Sequence, residues 1–387
     1  MGYPEAMHAS EKFIVLAFLG TMAVLYVSAG SILVRAAWDR LFGRRGRRQA
    51  RAYRRGRTWL RRAVLAMAAA GLVCMAYGYF IEPRWLEVTR VRVESTRLRG
   101  SARPVRIVQI SDIHCEACAG PEEGLPGIIE GLAPDVIVFT GDAVNTRGAV
   151  DRFHRCMSRL AAIAPTFAVR GNWDVDYFGD VNLFGGTGVR ELSGQAVKLT
   201  VAGADVWFAG AAAHSETGID AALAAAPAGA CKVLLYHYPD PILEVAARGD
   251  VDLQLSGHTH GGQIALPFYG AMVTLSRHGK RFERGLYRVG RTSLYVSRGI
   301  GLEGGHAPPM RFCSRPEVTL IELAPPPAAG DRHLRPGQQL AGTPEPVPLS
   351  RSARSGGRFR TSPRRSPSVN CPGASGWGRS STLRRAS

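Results

Sequence analysis

Five short apolar runs in this 387-residue chain each end in residues that can hold a cation. Ile107–Ile110 leads into Ser111-Asp112-Ile113-His114, and Val136–Phe139 into Thr140-Gly141-Asp142. Phe167–Arg170 leads into Gly171-Asn172-Trp173-Asp174, and Val233–Tyr236 into His237. Leu253–Leu255 leads into Ser256-Gly257-His258-Thr259-His260-Gly261-Gly262. A single Asp in such a place is ordinarily a turn or cap residue. Five such events in one domain exceed what turns require and point to a metal site. Asp112, His114, Asp142, Asn172, His237, His258 and His260 offer oxygen and imidazole nitrogen but no thiolate. That donor set suits Mn, Fe or Zn and not a Cys-rich structural zinc site. Seven donors are too many for one four-coordinate ion; they fit two ions about 3.5–4 Å apart that share a carboxylate.

The apolar runs read as strands. Strands are expected at 105–110, 135–140, 166–170, 197–201, 206–209, 232–236, 252–255, 293–297 and 317–323, and helices at 122–132, 150–163, 219–226 and 241–247. Their alternation predicts an α/β layered domain over 105–323, its strands buried on both faces and its ligands at the carboxyl ends.

In this order, Asp-x-His, Gly-Asp, Gly-Asn-x-Asp, a lone His and Gly-His-Thr-His-Gly-Gly-Gln resemble the calcineurin-like metallophosphoesterase family. The closing Tyr295-Val296-Ser297-Arg298-Gly299-Ile300-Gly301 and Pro316-Glu317-Val318 are similar to its membrane-attached bacterial branch. The resemblance implies a four-layer αββα sandwich in which Asp112, His114 and His260 hold one ion and Asn172, His237 and His258 the other. Asp142 is then the bridge, and a hydroxide between the ions attacks a phosphodiester or pyrophosphate. Asp142, Asn172 and His237 are the residues it makes catalytic. Asn145 falls where the family pattern has a polar residue, expected to orient Asp142 or touch substrate. Many members carry His after the Asn; here it is Trp173, which can stack or donate one hydrogen bond but cannot supply a proton at neutral pH. That favours a substrate with a low-pKa leaving group, or else Trp173 simply packs. A lipid-linked pyrophosphate such as UDP-2,3-diacylglucosamine, a lipid A precursor, fits the branch. The alternative is a catalytically idle metal-binding scaffold at the membrane.

Ahead of this domain, residues 13–34 and 63–81 are free of charge and each long enough to cross a bilayer. They bracket a loop, 35–62, with 12 Arg against Asp39 alone, and predict a transmembrane hairpin over 1–82 joined by a linker, 83–104. The loop arginines favour the cytoplasm, which puts the catalytic domain of a multi-pass inner- or plasma-membrane protein on the periplasmic or extracellular side. A UDP-2,3-diacylglucosamine substrate would need the opposite orientation. Residues 324–387 read as a disordered basic tail. The net charge of +18 resides in that tail (+9) and in the loop (+11), which leaves −2 for the rest. The basicity therefore does not mark a nucleic-acid enzyme, and the expected partners are the bilayer and a phosphorylated substrate. Cys115-Glu116-Ala117-Cys118 lacks a second pair; a local disulfide or buried thiols are the two readings. His214, His278 and His306 fall in expected loops and His154 on a surface helix, and none is assigned a catalytic role.

Overall fold

Apolar residues at every second position set two six-stranded sheets face to face. The computed structural model describes residues 7–42, 51–303 and 308–326, the side chains of 51–57 apart. The central part of the Arg-rich loop, His306 and the C-terminal segment beyond 326 lie outside the described residues.

The first sheet runs β1 (Glu87–Glu94), β14 (Glu317–Ala324), β2 (Val105–Ile110), β3 (Val136–Phe139), β4 (Thr166–Ala168), β5 (Arg190–Glu191). β2 to β5 are mutually parallel, β14 is antiparallel to β2, and β1 pairs parallel with β14. The second sheet runs β12 (Gly285–Val289), β13 (Thr292–Val296), β9 (Leu253–Ser256), β8 (Cys231–Leu235), β7 (Ala204–Gly210), β6 (Gln195–Val201). Here β13, β9, β8 and β7 are parallel and the two outer strands antiparallel. A small separate hairpin pairs β10 (Ala265–Leu266) with β11 (Gly270–Ala271).

Period-two alternation sends Val105, Ile107, Val136 and Val138 towards Val206, Phe208, Val233 and Leu255, forming the core between the sheets. The intervening Val108, Ile110, Ile137 and Phe139 face outwards. There they meet Ile129 of α3 (Leu125–Gly131) and Phe153, Met157 and Leu160 of α4 (Val150–Ala161). The α4 residues recur at helical spacing, so one stripe of that helix covers the sheet. Leu234 and Tyr236 meet Ile219 and Leu223 of α6 (Glu216–Ala224) and Val245 of α7 (Ile242–Arg248) on the far side. The result is the expected αββα order of layers. All nine expected strands and all four helices occur, with ends shifted by at most three residues.

Residues 83–104, expected to be a linker, contain β1. Its EVTRVRVE turns Val91 and Val93 to the core between the sheets and Val88, Arg90 and Arg92 to the other face, where only Val88 is buried, a pattern that an edge strand tolerates. Also unanticipated is α5 (Asn172–Phe178), seven residues long and directly after β4.

At the N-terminus, α1 (Ala9–Phe42) and α2 (Arg51–Phe80) are both long and apolar enough to cross a membrane. Phe13, Leu16, Val24, Val27, Leu72, Val73 and Phe80 on them are exposed. A core helix of a water-soluble domain would bury such residues.

Candidate metal centre

The carboxyl ends of β2, β3 and β4 in one sheet and of β8 and β9 in the other deliver all seven predicted ligands to one place. Backbone hydrogen bonds fix the loops to one another. The Asp112 amide donates to Gly141 O at 2.8 Å, the His114 amide to Asp142 O at 3.1 Å and the Gly257 amide to His237 O at 3.0 Å. The His258 amide donates to Asp112 Oδ1 at 3.0 Å, which joins the loops of the two sheets. Asp112, His114, Asp142, His258 and His260 all sit in the left-handed backbone region, with φ between 44° and 71°. For residues other than glycine such backbone is strained and collects at functional sites. Gly171 must be glycine, because a Cβ there would fall on the Asp142 carboxylate.

Asp112, His114, Asp142 and His260 form a buried cluster whose donor atoms lie within 4.8 Å of one another. His114 Nε2 is 3.2 Å from His260 Nε2 and 3.6 Å from Asp142 Oδ2. His260 Nε2 is 3.5 Å from Asp112 Oδ1. On the other side of Asp142, His237 Nε2 is 3.2 Å from the same Oδ2. The His237 and His258 rings stand 5.2 Å apart, and His258 Nδ1 is 3.2 Å from Asn172 Oδ1.

The outward nitrogens decide what the inward ones can do. His114 Nδ1 lies 2.7 Å from Asn145 Oδ1, whose amide nitrogen is engaged by Glu116 Oε1 and Leu302 O. His237 Nδ1 lies 2.7 Å from Thr140 O, and His258 Nε2 lies 3.2 Å from Leu275 O. Each of those oxygens can only accept, so each of these nitrogens donates, which leaves the inward nitrogen as the one that can bind an ion once it carries no proton. These inward nitrogens face Asp142 and Asn172 oxygens. Asp112 Oδ2 and His237 Nε2 are buried without a hydrogen-bond partner among the described residues. Cations between these atoms would satisfy both, and a histidine fixed through its other nitrogen is the usual support for a metal ligand. The donor set and its orphaned atoms therefore fit a pair of divalent ions.

Electrostatics agree. Burial works against the charge of Asp142, yet His237 and His114 hold its pKa down at about 2. Burial likewise opposes charge on His237, but the Asp142 carboxylate outweighs it and lifts the pKa to about 9. Burial and then His237 push His258 down to about 3, and burial, His114 and Arg311 push His260 well below its ordinary value. The cluster thus has an ionised carboxylate between mutually repelling imidazoles, the arrangement in which cations replace protons.

Asn145 touches His114 and not Asp142, so it orients a histidine where sequence had suggested the bridging acid. Trp173 donates its backbone N–H to Asp142 Oδ1 at 3.0 Å. Its ring packs edge-on to His114, with centroids 5.8 Å apart, and against Tyr177 at 4.5 Å; the buried indole Nε1 has no hydrogen-bond partner among the described residues. His214 is held near Asp176 and Tyr238, whose ring lies 4.5 Å from that of His258. His278 meets Asp240 O at 3.0 Å and His154 meets Asn182 O at 3.0 Å, so both are engaged away from the cluster. Cys115 is a buried free thiol, which excludes a disulfide closing Cys115 on Cys118.

Two further residues support the site: Asp174, the acid of the Gly-Asn-x-Asp pattern, and Arg311, which carries no sequence signal. Asp174 is buried and takes the amides of Asp142, Ala143 and Gly171. Arg311 is fully buried, and its Nη2 lies 3.3 Å from His260 Nδ1.

Comparison with known proteins agrees with this geometry. Residues 105–262 match the calcineurin-like phosphoesterase family. The chain is 32% identical to the uncharacterized metallophosphoesterase YkuE of Bacillus subtilis, over 67% of this chain and 93% of that protein. It is 31% identical to phosphodiesterase YaeI of Escherichia coli, over 68% of this chain and 98% of that one. A transmembrane protein with metallophosphoesterase domain from Danio rerio is 29% identical over 68% of this chain and 63% of its own length. With two relatives above 30% identity covered almost end to end, the chain belongs to the metallophosphoesterase family, and it is a hydrolase.

Proposed function

We propose that this chain is a membrane-anchored phosphodiesterase that uses two divalent ions on a lipid-linked or headgroup phosphate. One observation carries the reading: three histidines are each held through one ring nitrogen by an oxygen that can only accept, with the other nitrogen turned towards Asp142 or Asn172. In it, Asp112, His114 and His260 hold one ion, Asn172, His237 and His258 the other, and Asp142 both. Bound there, two divalent cations would lower the pKa of a water and neutralise the phosphoryl oxygens. The protein fixes the outer nitrogen of three imidazoles so that the inner one is presented to an ion, holds Asp142 ionised and excludes bulk water from the floor of the site. Trp173 stands where a general acid would, which favours diesters and pyrophosphates whose leaving group departs without a proton.

The membrane half of the reading is supported by the apolar surfaces of α1 and α2, which are exposed among the described residues. It is also supported by two vertebrate relatives named as transmembrane proteins. Arginines between the helices favour a cytoplasmic loop and a domain on the opposite side of the bilayer. A nucleotide–lipid pyrophosphate of the lipid A precursor type is the substrate if the orientation is reversed.

The test is detergent-purified full-length protein with added Mn, offered bis-p-nitrophenyl phosphate, p-nitrophenyl phosphate and a nucleotide–lipid pyrophosphate. Mn-dependent turnover of the diester or the pyrophosphate, at least about a thousandfold lower in Asp142→Ala, is expected. Metal-loaded wild type inert on all three would leave the scaffold reading standing. A reporter fused after residue 323 decides which side the domain occupies.

A further inference from the structure

We infer that the two N-terminal helices are part of the metal centre, with Glu11 of α1 and Glu82 just beyond α2 acting as positioning residues for His258 and His260. The inference rests on the seven residues being a two-ion site and not on which phosphate ester they cleave.

Glu11 lies in the first turn of α1 and is only 5% exposed. Its Oε1 accepts from the Thr274 amide at 2.9 Å and the Thr274 hydroxyl at 2.8 Å. Its Oε2 accepts from the His8 amide at 3.0 Å, and the His8 ring bonds Ser276 O at 2.7 Å. The first turn of the helix therefore grips residues 274 and 276. Between them stands Leu275, whose backbone is left-handed and whose carbonyl takes the outward N–H of His258. Removing that grip frees the carbonyl that fixes which His258 nitrogen faces inward.

The second helix does the same for the other histidine. Glu82, 1% exposed, sits in the single 3-10 turn (Glu82–Arg84) that follows α2. Its carboxylate accepts from the Ser314 amide at 2.5 Å and the Cys313 amide at 3.0 Å. The Ser314 hydroxyl donates to His260 O at 2.7 Å. One turn back, Gly78 O accepts from the Arg311 amide at 3.0 Å. The Arg311 guanidinium reaches Gly301 O, Arg298 O and Ser314 O and lies against His260 Nδ1.

A flexible tether would need none of this. Burying two carboxylates is costly unless each is fully hydrogen-bonded, and both are. Each helix end spends its buried charge on the loop behind one histidine, and the two histidines belong to different ions.

The experiment titrates Mn into chelator-stripped full-length protein in detergent, following each binding step and using electron paramagnetic resonance to separate lone from spin-coupled Mn. Glu82→Gln and the milder Ser314→Ala, which removes only the hydroxyl bond to His260 O, should weaken one binding step by about ten- to a hundredfold. Glu11→Gln and the milder Thr274→Val should weaken the other step, so that half-loaded variants of the two kinds leave Mn at different sites. A shift of about threefold or more, falling on different steps for the two helices and with unchanged melting temperature in the mild variants, upholds the inference. Smaller shifts overturn it. So does a parallel fall of both steps with a lowered melting temperature in Ser314→Ala and Thr274→Val, which is the signature of general loosening. If either Gln variant does not fold, the mild variants decide alone. Because no ester is present, absence of phosphodiesterase activity leaves this result intact.

Discussion

Asp174 lies beneath Asp142 and never competes with it: Asp174 Oδ2 takes the Asp142 amide at 2.9 Å, while the Asp142 carboxylate is turned the other way, towards His237. Burial first, and then the neighbouring Asp142 charge, lift the Asp174 pKa to about 7. The Ala143 and Gly171 amides, at 2.8 and 3.0 Å, keep it anchored. The last acid of Gly-Asn-Trp-Asp is thus the clamp between the loops that carry Asp142 and Asn172.

Asp174→Ala strands three buried amides, each at about 1–3 kcal/mol. The expected outcome is a lower melting temperature together with loss of at least one bound ion, read by elemental analysis after dialysis. Retention of both ions at wild-type affinity would contradict the clamp.

Trp173 supplies a backbone N–H to Asp142 but no titratable side chain. Trp173→His should raise turnover of an alkyl phosphate ester, whose leaving group needs a proton, by about ten- to a hundredfold. A p-nitrophenyl diester, whose leaving group needs none, should change little. Equal gains on both esters would mean that the substitution relieves packing against His114 and Tyr177 instead of adding an acid.

Glu317 is buried at the start of β14 and joins the sheets: Arg298 contacts it through Nη2 at 3.2 Å and through its own amide at 3.0 Å, and the Tyr295 hydroxyl donates at 2.7 Å. Burial opposes its charge, but Arg298 prevails and the pKa lies below the ordinary 4.5. A carboxyl group with a depressed folded pKa adds stability above its ordinary value and loses it as pH falls through the folded one. Glu317→Gln should therefore lower stability at pH 7, by less than the about 3–5 kcal/mol of a fully broken buried pair, because Arg298 keeps Glu87 at 3.3 Å. The gap in melting temperature between wild type and variant should narrow as the pH falls below the ordinary 4.5 and through the depressed folded value. A gap independent of pH would remove the ion pair from the account.

The parts of the fold that could be read from sequence are those where one strand does one task. β3 is an unbroken apolar run, and β2, β8 and β9 are mostly apolar with one or two polar residues each, because both faces are covered; a residue of the site follows each within three positions. β1 escaped notice because Arg90 and Arg92 fill its outward positions, which only its place at the sheet edge permits. α5 was hidden by its brevity and its Asn and Asp content. The site was legible in residue type but not in support. Nothing about an isolated Arg311, or about glutamates bordering apolar helices, announces a side chain folded inward, since their hydrogen-bond partners lie up to about 260 positions away, as Glu11 and Thr274 do.

β1 and β14 are parallel neighbours, with Glu87 opposite Glu317 and Glu94 opposite Ala324. The strand that leaves the helices therefore has no partner until nearly the whole domain has been synthesised. A nascent or truncated chain ending before 317 presents β1 and β2 as two bare edges with an empty slot between them, open to any other extended peptide. Closure by β14 is a long-range pairing and correspondingly slow. With the latch in the last described strand, this sheet closes only once translation has passed residue 324.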